Sequence, residues 1–362
     1  MDHANQSLSR RRLLSGSAAS LAASSAVAAD DTPEPVIEPG LPIIDPHHHL
    51  WDNPAVGNQP ARKYVLKDFL TDADSGHNVV ASVFVECSTQ YRKDGPVEMR
   101  SVGETEFVAA IADDSASGRH GPTKVAAGII SHVNLDIGDA ARGVLEAHLS
   151  AGGGRVKGIR DASAWDEFPV MGRQLEIRRK ELLMNPAFRR GFAALKPLGL
   201  LFESWIFHPQ IPQLTDLARA FPDTTIILNH VGTPIGVGPY AAKSAEVFAA
   251  WKMSLLDLAK MGNVKMKLGG LGMAFTGFPQ FGRKPTAGSS EIAETWRPYV
   301  ETCIAAFGVN RCMFESNFPP DAGTCSYRTL WNVFKVLARG LSGAEKTALF
   351  SGTAAQTYGL KV

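Results

Sequence analysis

From residue 43 onward one pattern recurs eight times in the chain. A short apolar or β-branched run ends in polar or Gly residues, and a stretch of helical character follows. The strand-like runs are 43–49, 79–86, 124–132, 155–160, 200–207, 224–230, 264–268 and 311–317, and the helical stretches include 104–115, 139–150, 185–192, 211–221, 241–261, 291–307 and 342–349. Strands that alternate with helices predict parallel βαβ units. Eight such units close into a (β/α)8 TIM barrel, so the expected fold is α/β, with a single domain over residues 43–362. An open doubly wound sheet would announce itself with a Gly-rich turn after its first strand. Here the first strand ends in His47-His48-His49.

Composition narrows the function. With 37 Lys+Arg against 36 Asp+Glu, the chain has no basic excess to offer a nucleic acid. Its hydrophobic content of 44% excludes a disordered chain. Cys87, Cys303, Cys312 and Cys325 show neither a disulfide framework nor CxxC metal spacing. The start of the chain reads as an address. Arg10-Arg11-Arg12 precedes a weakly apolar Ala/Ser stretch that closes on Ala26-Val27-Ala28. That pattern resembles a twin-arginine signal peptide over residues 1–28, followed by a Pro-rich linker over 29–42. The expected location is the periplasm, with the twin-arginine export machinery as partner of the precursor. No stable membrane insertion is expected, because no run reaches about 18 apolar residues.

Barrel chemistry sits at the C-terminal ends of the strands. The first strand ends in Asp45-Pro46-His47-His48-His49, and alternation puts Asp45, His47 and His49 on one face. Two imidazoles at that spacing can grip a metal or an oxyanion. The sixth strand ends in Asn229-His230. The eighth ends in Glu315-Ser316-Asn317, with Asp321 in the loop beyond. Arg160 can clamp a substrate carboxylate, and Glu86 can bond sugar hydroxyls or hold Arg160. His208 reads either as a ligand or as the start of a turn, given Pro209 after it. Trp51, Tyr91 and Trp165 read as ring-stacking walls or as core. The loop from Phe275 to Ser290 is expected to close over the substrate.

The ordered set Ile44–Asp52, Val83–Cys87, Lys157–Arg160, His208–Gln210, Leu228–Gly232, Val264–Gly270 and Cys312–Pro319 resembles the amidohydrolase superfamily. It is most similar to the amidohydrolase-related branch, which includes hydrolases of sugar lactones and of pyrone or muconolactone acids. The resemblance implies a hydrolase built on His47, His49, His230 and the end of the eighth strand. One position departs from it. The family's strand-end Asp, which takes a proton from water, is here Asn317, and an amide is no general base. Asp321 is expected to take that role, and Glu315 to pair with Lys267. The expected chemistry is lactone opening of a small-molecule substrate, with no cofactor required. The alternative is a Zn2+-dependent amidohydrolase or decarboxylase, with His47, His49 and His230 as ligands. Asn317 also keeps open a barrel that only binds. The oligomeric state is not legible.

Overall fold

The computed structural model describes residues 33–54 and 61–361, so the expected signal peptide lies outside the described residues. Eight parallel strands run in sequence order around one sheet. They are β1 (Pro42–His48), β2 (Asn78–Val85), β3 (Lys124–Ser131), β4 (Val156–Arg160), β5 (Leu201–Ser204), β6 (Ile226–Leu228), β7 (Val264–Leu268) and β8 (Cys312–Phe314). The sheet closes just past the end of β8. There His48 bridges Phe318 in parallel. Asn317 N–H donates to the His47 carbonyl at 2.9 Å, and His49 N–H to the Phe318 carbonyl at 2.8 Å. Closure of the barrel and assembly of the first and eighth strand ends are therefore one event.

The helices are α1 (Leu66–Ala73), α2 (Val102–Ala116), α3 (Ala141–Ala151), α4 (Pro186–Ala193), α5 (Ile211–Ala220), α6 (Ser244–Leu258), α7 (Ser289–Phe307), α8 (Tyr327–Leu337), α9 (Gly343–Thr347) and the C-terminal helix α10 (Thr353–Tyr358). The helical segments read from the sequence did not include α1 or α8. In α8, Arg328, Asn332 and Lys335 recur at helical spacing on one face, but Asn332 and Lys335 are buried there. Its polar members are tied to the preceding segment: Asn332 bonds Ile37 N–H and the Pro35 carbonyl, and Lys335 donates to the Glu38 carbonyl at 2.9 Å. Glu34 accepts from Ser289 N–H at the start of α7. Residues 34–38 thus lie fastened to the barrel rather than forming a free linker.

Inside the barrel, Ile44, Ala81, Val83, Ile130, Leu201, Ile227 and Met313 form an apolar layer with Ala354 and Tyr358 of the C-terminal helix. Gly158 belongs to this level because a Cβ there would overlap Leu201. Two residues further along the strands the side chains become Arg160, Glu203, Asn229, Lys267 and Glu315, all buried. Strand alternation puts these on the same inward face, one level nearer the strand C-termini.

Candidate active site

The polar layer is internally matched. Lys267 Nζ donates to Glu203 Oε2 at 2.6 Å, and the same oxygen accepts from Asn229 Nδ2 at 2.8 Å. Glu203 Oε1 accepts from the Tyr358 hydroxyl at 2.7 Å. Glu203 on β5, rather than Glu315, therefore takes the hydrogen bond of Lys267. Burial lowers the Lys267 pKa, while the charges of Glu203 and Glu315 oppose that shift.

Glu315 is instead turned to the histidines. Its Oε1 accepts from both His230 Nδ1, at 2.7 Å, and His230 N–H, at 3.0 Å. A carboxylate only accepts, so Nδ1 carries a proton. The backbone is bent to achieve this, with φ of 55° at His230 and 48° at Val231. Left-handed geometry at a β-branched residue is strained and persists only where its surroundings impose it. Gly270 fits against the ring because any Cβ there would overlap His230 Nδ1.

Glu315 Oε2 lies 2.7 Å from His47 Nδ1 yet has no hydrogen-bond partner among the described residues. Lys267 Nζ reaches the same His47 nitrogen at 3.4 Å. Burial first, and Lys267 next, hold the His47 pKa well below the usual imidazole range. The ligand atoms of His47, His230 and Glu315 all fall within 4.8 Å of one another. An orphaned, buried carboxylate oxygen facing a neutral imidazole is a donor set that a divalent cation would satisfy.

His49 stands beside this cluster, its ring 5.1 Å from that of His47. Its Nδ1 donates to the Val85 carbonyl at 2.7 Å, leaving Nε2 as the lone-pair nitrogen. Burial, then the Arg160 charge, depresses its pKa, so the ring is neutral. Glu86 does hold Arg160: Nε bonds Glu86 Oε1 at 2.7 Å and Nη2 bonds the Glu86 carbonyl at 2.6 Å. Among the described residues, Arg160 Nη1 has only long contacts of 3.5 Å, to His47 Nε2 and Asn229 Oδ1.

Asp321 is placed differently from a rim base. It is fully buried, its Oδ1 accepts from Asn317 Nδ2 at 2.7 Å, and its Oδ2 accepts from Gly272 N–H at 3.0 Å. Burial pushes its pKa up to about 8. Asn317, not Asp321, lines the cavity. Asp45 also departs from the expected face. A register shift between Asp45 and His48 interrupts the alternation, and Asp45 bonds Ser316 and Tyr327. His208 accepts from Ile235 N–H at 3.3 Å, packs on Tyr240 and does not line the cavity. Tyr91 stacks on His132, away from it.

The cavity over the cluster measures about 330 Å3. Its polar surface is His49, His230, Arg62, Arg160 and Asn317, and Trp51, Trp205, Met273, Phe275 and Phe281 wall it. The loop that begins at Phe275 does reach it. Arg62 and Trp205 were not singled out from the sequence. The first lies on a hairpin strand, Arg62–Tyr64, paired with Trp51–Asn53, and no local spacing marks its approach to the barrel mouth. Larger surface grooves, of about 650 Å3 beside α1 and α2 and about 730 Å3 beside α5 and α6, hold none of this histidine cluster.

The chain is similar to several known proteins. The uncharacterised protein y4mH of Sinorhizobium fredii is 33% identical over 334 residues, 88% of this chain and 98% of its own. An L-fucono-1,5-lactonase of Burkholderia multivorans is 24% identical over 88% of this chain and 96% of its own. The crystal structure of a Burkholderia multivorans amidohydrolase with bound zinc superposes with a TM-score of 0.67 at 24% identity, covering 88% of this chain and 99% of that one. The amidohydrolase family profile matches residues 44–360, and the chain belongs to that family.

Proposed function

We propose that the chain is a lactone hydrolase, exported to the periplasm by the twin-arginine route, that opens a cyclic ester by adding water to its carbonyl. The observation that carries this reading is the convergence of His47, His230 and Glu315 beneath a cavity surfaced by His49, Arg160 and Asn317. The lactonase relative supports the substrate class.

Ester hydrolysis needs a group to take the proton of water and donors where negative charge develops. His49 lines the cavity and its Nδ1 is spent on the Val85 carbonyl, so its unprotonated Nε2 takes that proton, while burial and Arg160 keep it a weak base. This differs from a role as oxyanion donor, because its one N–H is spent on the Val85 carbonyl. Arg160, fixed by Glu86, directs its remaining Nη1 donors at the developing oxyanion. Asp321 acts through Asn317 by holding the amide in one orientation.

His47, His230 and Glu315 fit a Zn2+ ion, the metal of the Burkholderia structure, by the orphaned Glu315 oxygen and by two imidazoles in reach. When bound, such an ion polarises a carbonyl or lowers the pKa of a bound water to about 7. The donor set thus favours the Zn2+ alternative over the metal-free chemistry expected from the sequence.

Acid release from a panel of sugar and aromatic-derived lactones, with metal content measured before and after chelation, tests the reading. CO2 release from aromatic acids without lactone opening would move it to a decarboxylase. Full activity after complete chelation would remove the metal. For export, replacing Arg10 and Arg11 by Lys should retain the precursor in the cytoplasm, and an unchanged periplasmic yield would remove the address.

A further inference from the structure

Two parts of the cavity wall depend on a carboxyl group that does not itself line the cavity. Glu104, in the first turn of α2, is buried. Its Oε1 accepts from two backbone N–H groups of the loop after β2, Cys87 at 3.0 Å and Thr89 at 2.9 Å. Between them Ser88 has a φ of 61°, and Gln90 follows with a φ of 50°. Left-handed backbone at such residues is uncommon and persists only where its surroundings hold it. A single oxygen that collects the N–H groups on both sides of Ser88 supplies that hold. Burial first, and the Glu86 charge next, push the Glu104 pKa up, toward a neutral carboxyl that still accepts through Oε1.

From this loop two branches reach the cavity. On the barrel side, Glu86 takes Arg160 with its side chain at 2.7 Å and with its carbonyl at 2.6 Å. On the outer side, the Thr89 hydroxyl accepts from Asp52 N–H at 3.2 Å and donates to Asn53 Oδ1 at 2.8 Å. Gln90 Nε2 donates to the Asp52 carbonyl at 2.6 Å. Asp52 and Asn53 belong to the hairpin strand that begins at Trp51, whose ring lies nearly parallel to that of His49, at 7° and 6.4 Å between centroids. Arg160 and Trp51 both line the cavity. A guanidinium and an aromatic wall thus hang from one loop, and Glu104 ties that loop to α2.

We propose that Glu104 is a positioning residue of this site: it fixes residues 87–89, and through them it sets Arg160 by way of Glu86 and Trp51 by way of Thr89. The placement is geometric, and only its effect on turnover rests on the hydrolase reading.

The test uses the purified full chain, isotope-labelled at arginine and tryptophan nitrogen. Glu104→Leu removes the acceptor at similar volume. The magnetic-resonance signals of Arg160 Nε–H and the Trp51 indole N–H, assigned with Arg160→Lys and Trp51→Phe, should both shift. With dihydrocoumarin as the turnover probe, kcat should fall about tenfold or more. Glu104→Gln, which keeps an acceptor oxygen, should recover most of both signals and of kcat. Glu104→Asp, too short to reach both N–H groups, should give the same shifts if the Leu variant does not fold. Thr89→Val cuts only the hairpin branch: the Trp51 signal should move, the Arg160 signal should stay, and KM should rise with kcat little changed. Folded Glu104→Leu or Glu104→Asp with both signals unmoved would overturn the proposal. So would lost stability with unchanged kinetics per folded molecule, the mark of a purely structural role. Shifted signals in a chain whose wild type opens no lactone would sustain the positioning role and sink the hydrolase reading.

Discussion

The two inward-facing levels of the barrel lie two residues apart on the same strands and have opposite chemistry. Leu201, Ile227 and Met313 occupy one level, and Glu203, Asn229 and Glu315 the next. The first is held by packing alone. The second holds carboxylates and cations fully out of water, and each needs a partner. A barrel can keep such a layer because the apolar level and Tyr358 seal it from below, and Tyr358 also bonds Glu203. The comparison teaches where stability ends and chemistry begins: at a single step of the strand repeat.

Cutting the matched pair should give the largest effect. Lys267→Met leaves Glu203 buried without its cation and should cost about 3–5 kcal/mol in chemical denaturation. Adding Glu203→Gln should return part of the loss. A single-variant cost of about 1 kcal/mol or less, the value of an exposed pair, would mean that the polar level is wetter than it looks.

The next effect separates the levels by function. His230→Ala should lower turnover about 10²–10³-fold with the fold retained, because it removes a member of the converging cluster. Ile227→Ala, three residues earlier on the same strand end, should cost about 2–5 kcal/mol of stability while turnover per folded molecule persists. Reversal of these two outcomes would break the division.

The last test concerns pH, and its effect on turnover is the smallest. Burial raises the Asp321 pKa in the folded chain to about 8, above that of an unfolded Asp at about 3.9. The folded state therefore holds this proton more tightly, and stability is lost as pH rises from about 4 through 8. Asp321→Asn should flatten that part of the stability profile, with turnover falling by less than about tenfold. Abolished turnover with intact substrate binding would instead make Asp321 the base.

The barrel was legible because its signals are local. Apolar runs that end in His47-His48-His49, Asn229-His230 and Glu315-Ser316-Asn317 mark strand ends without any knowledge of neighbours. The period of the helix α8 is present in the sequence, and what the sequence does not show is that its polar face is covered by the segment before the barrel. Asp45 escaped because a register shift interrupts the alternation that sequence spacing assumes.

By itself, then, the sequence determined the eightfold strand–helix order and which imidazoles stand at the strand ends, since both follow from periods of two and about 3.6 residues. Only the tertiary structure decided the partners. That Lys267 pairs with Glu203, that Glu315 turns to His47 and His230, and that Arg62 rises over Trp51 at the cavity mouth depend on how β5, β6, β7, β8 and a hairpin are brought together when the barrel closes. Contacts across strands far apart in the chain are set by that closure, and no spacing along the chain encodes it.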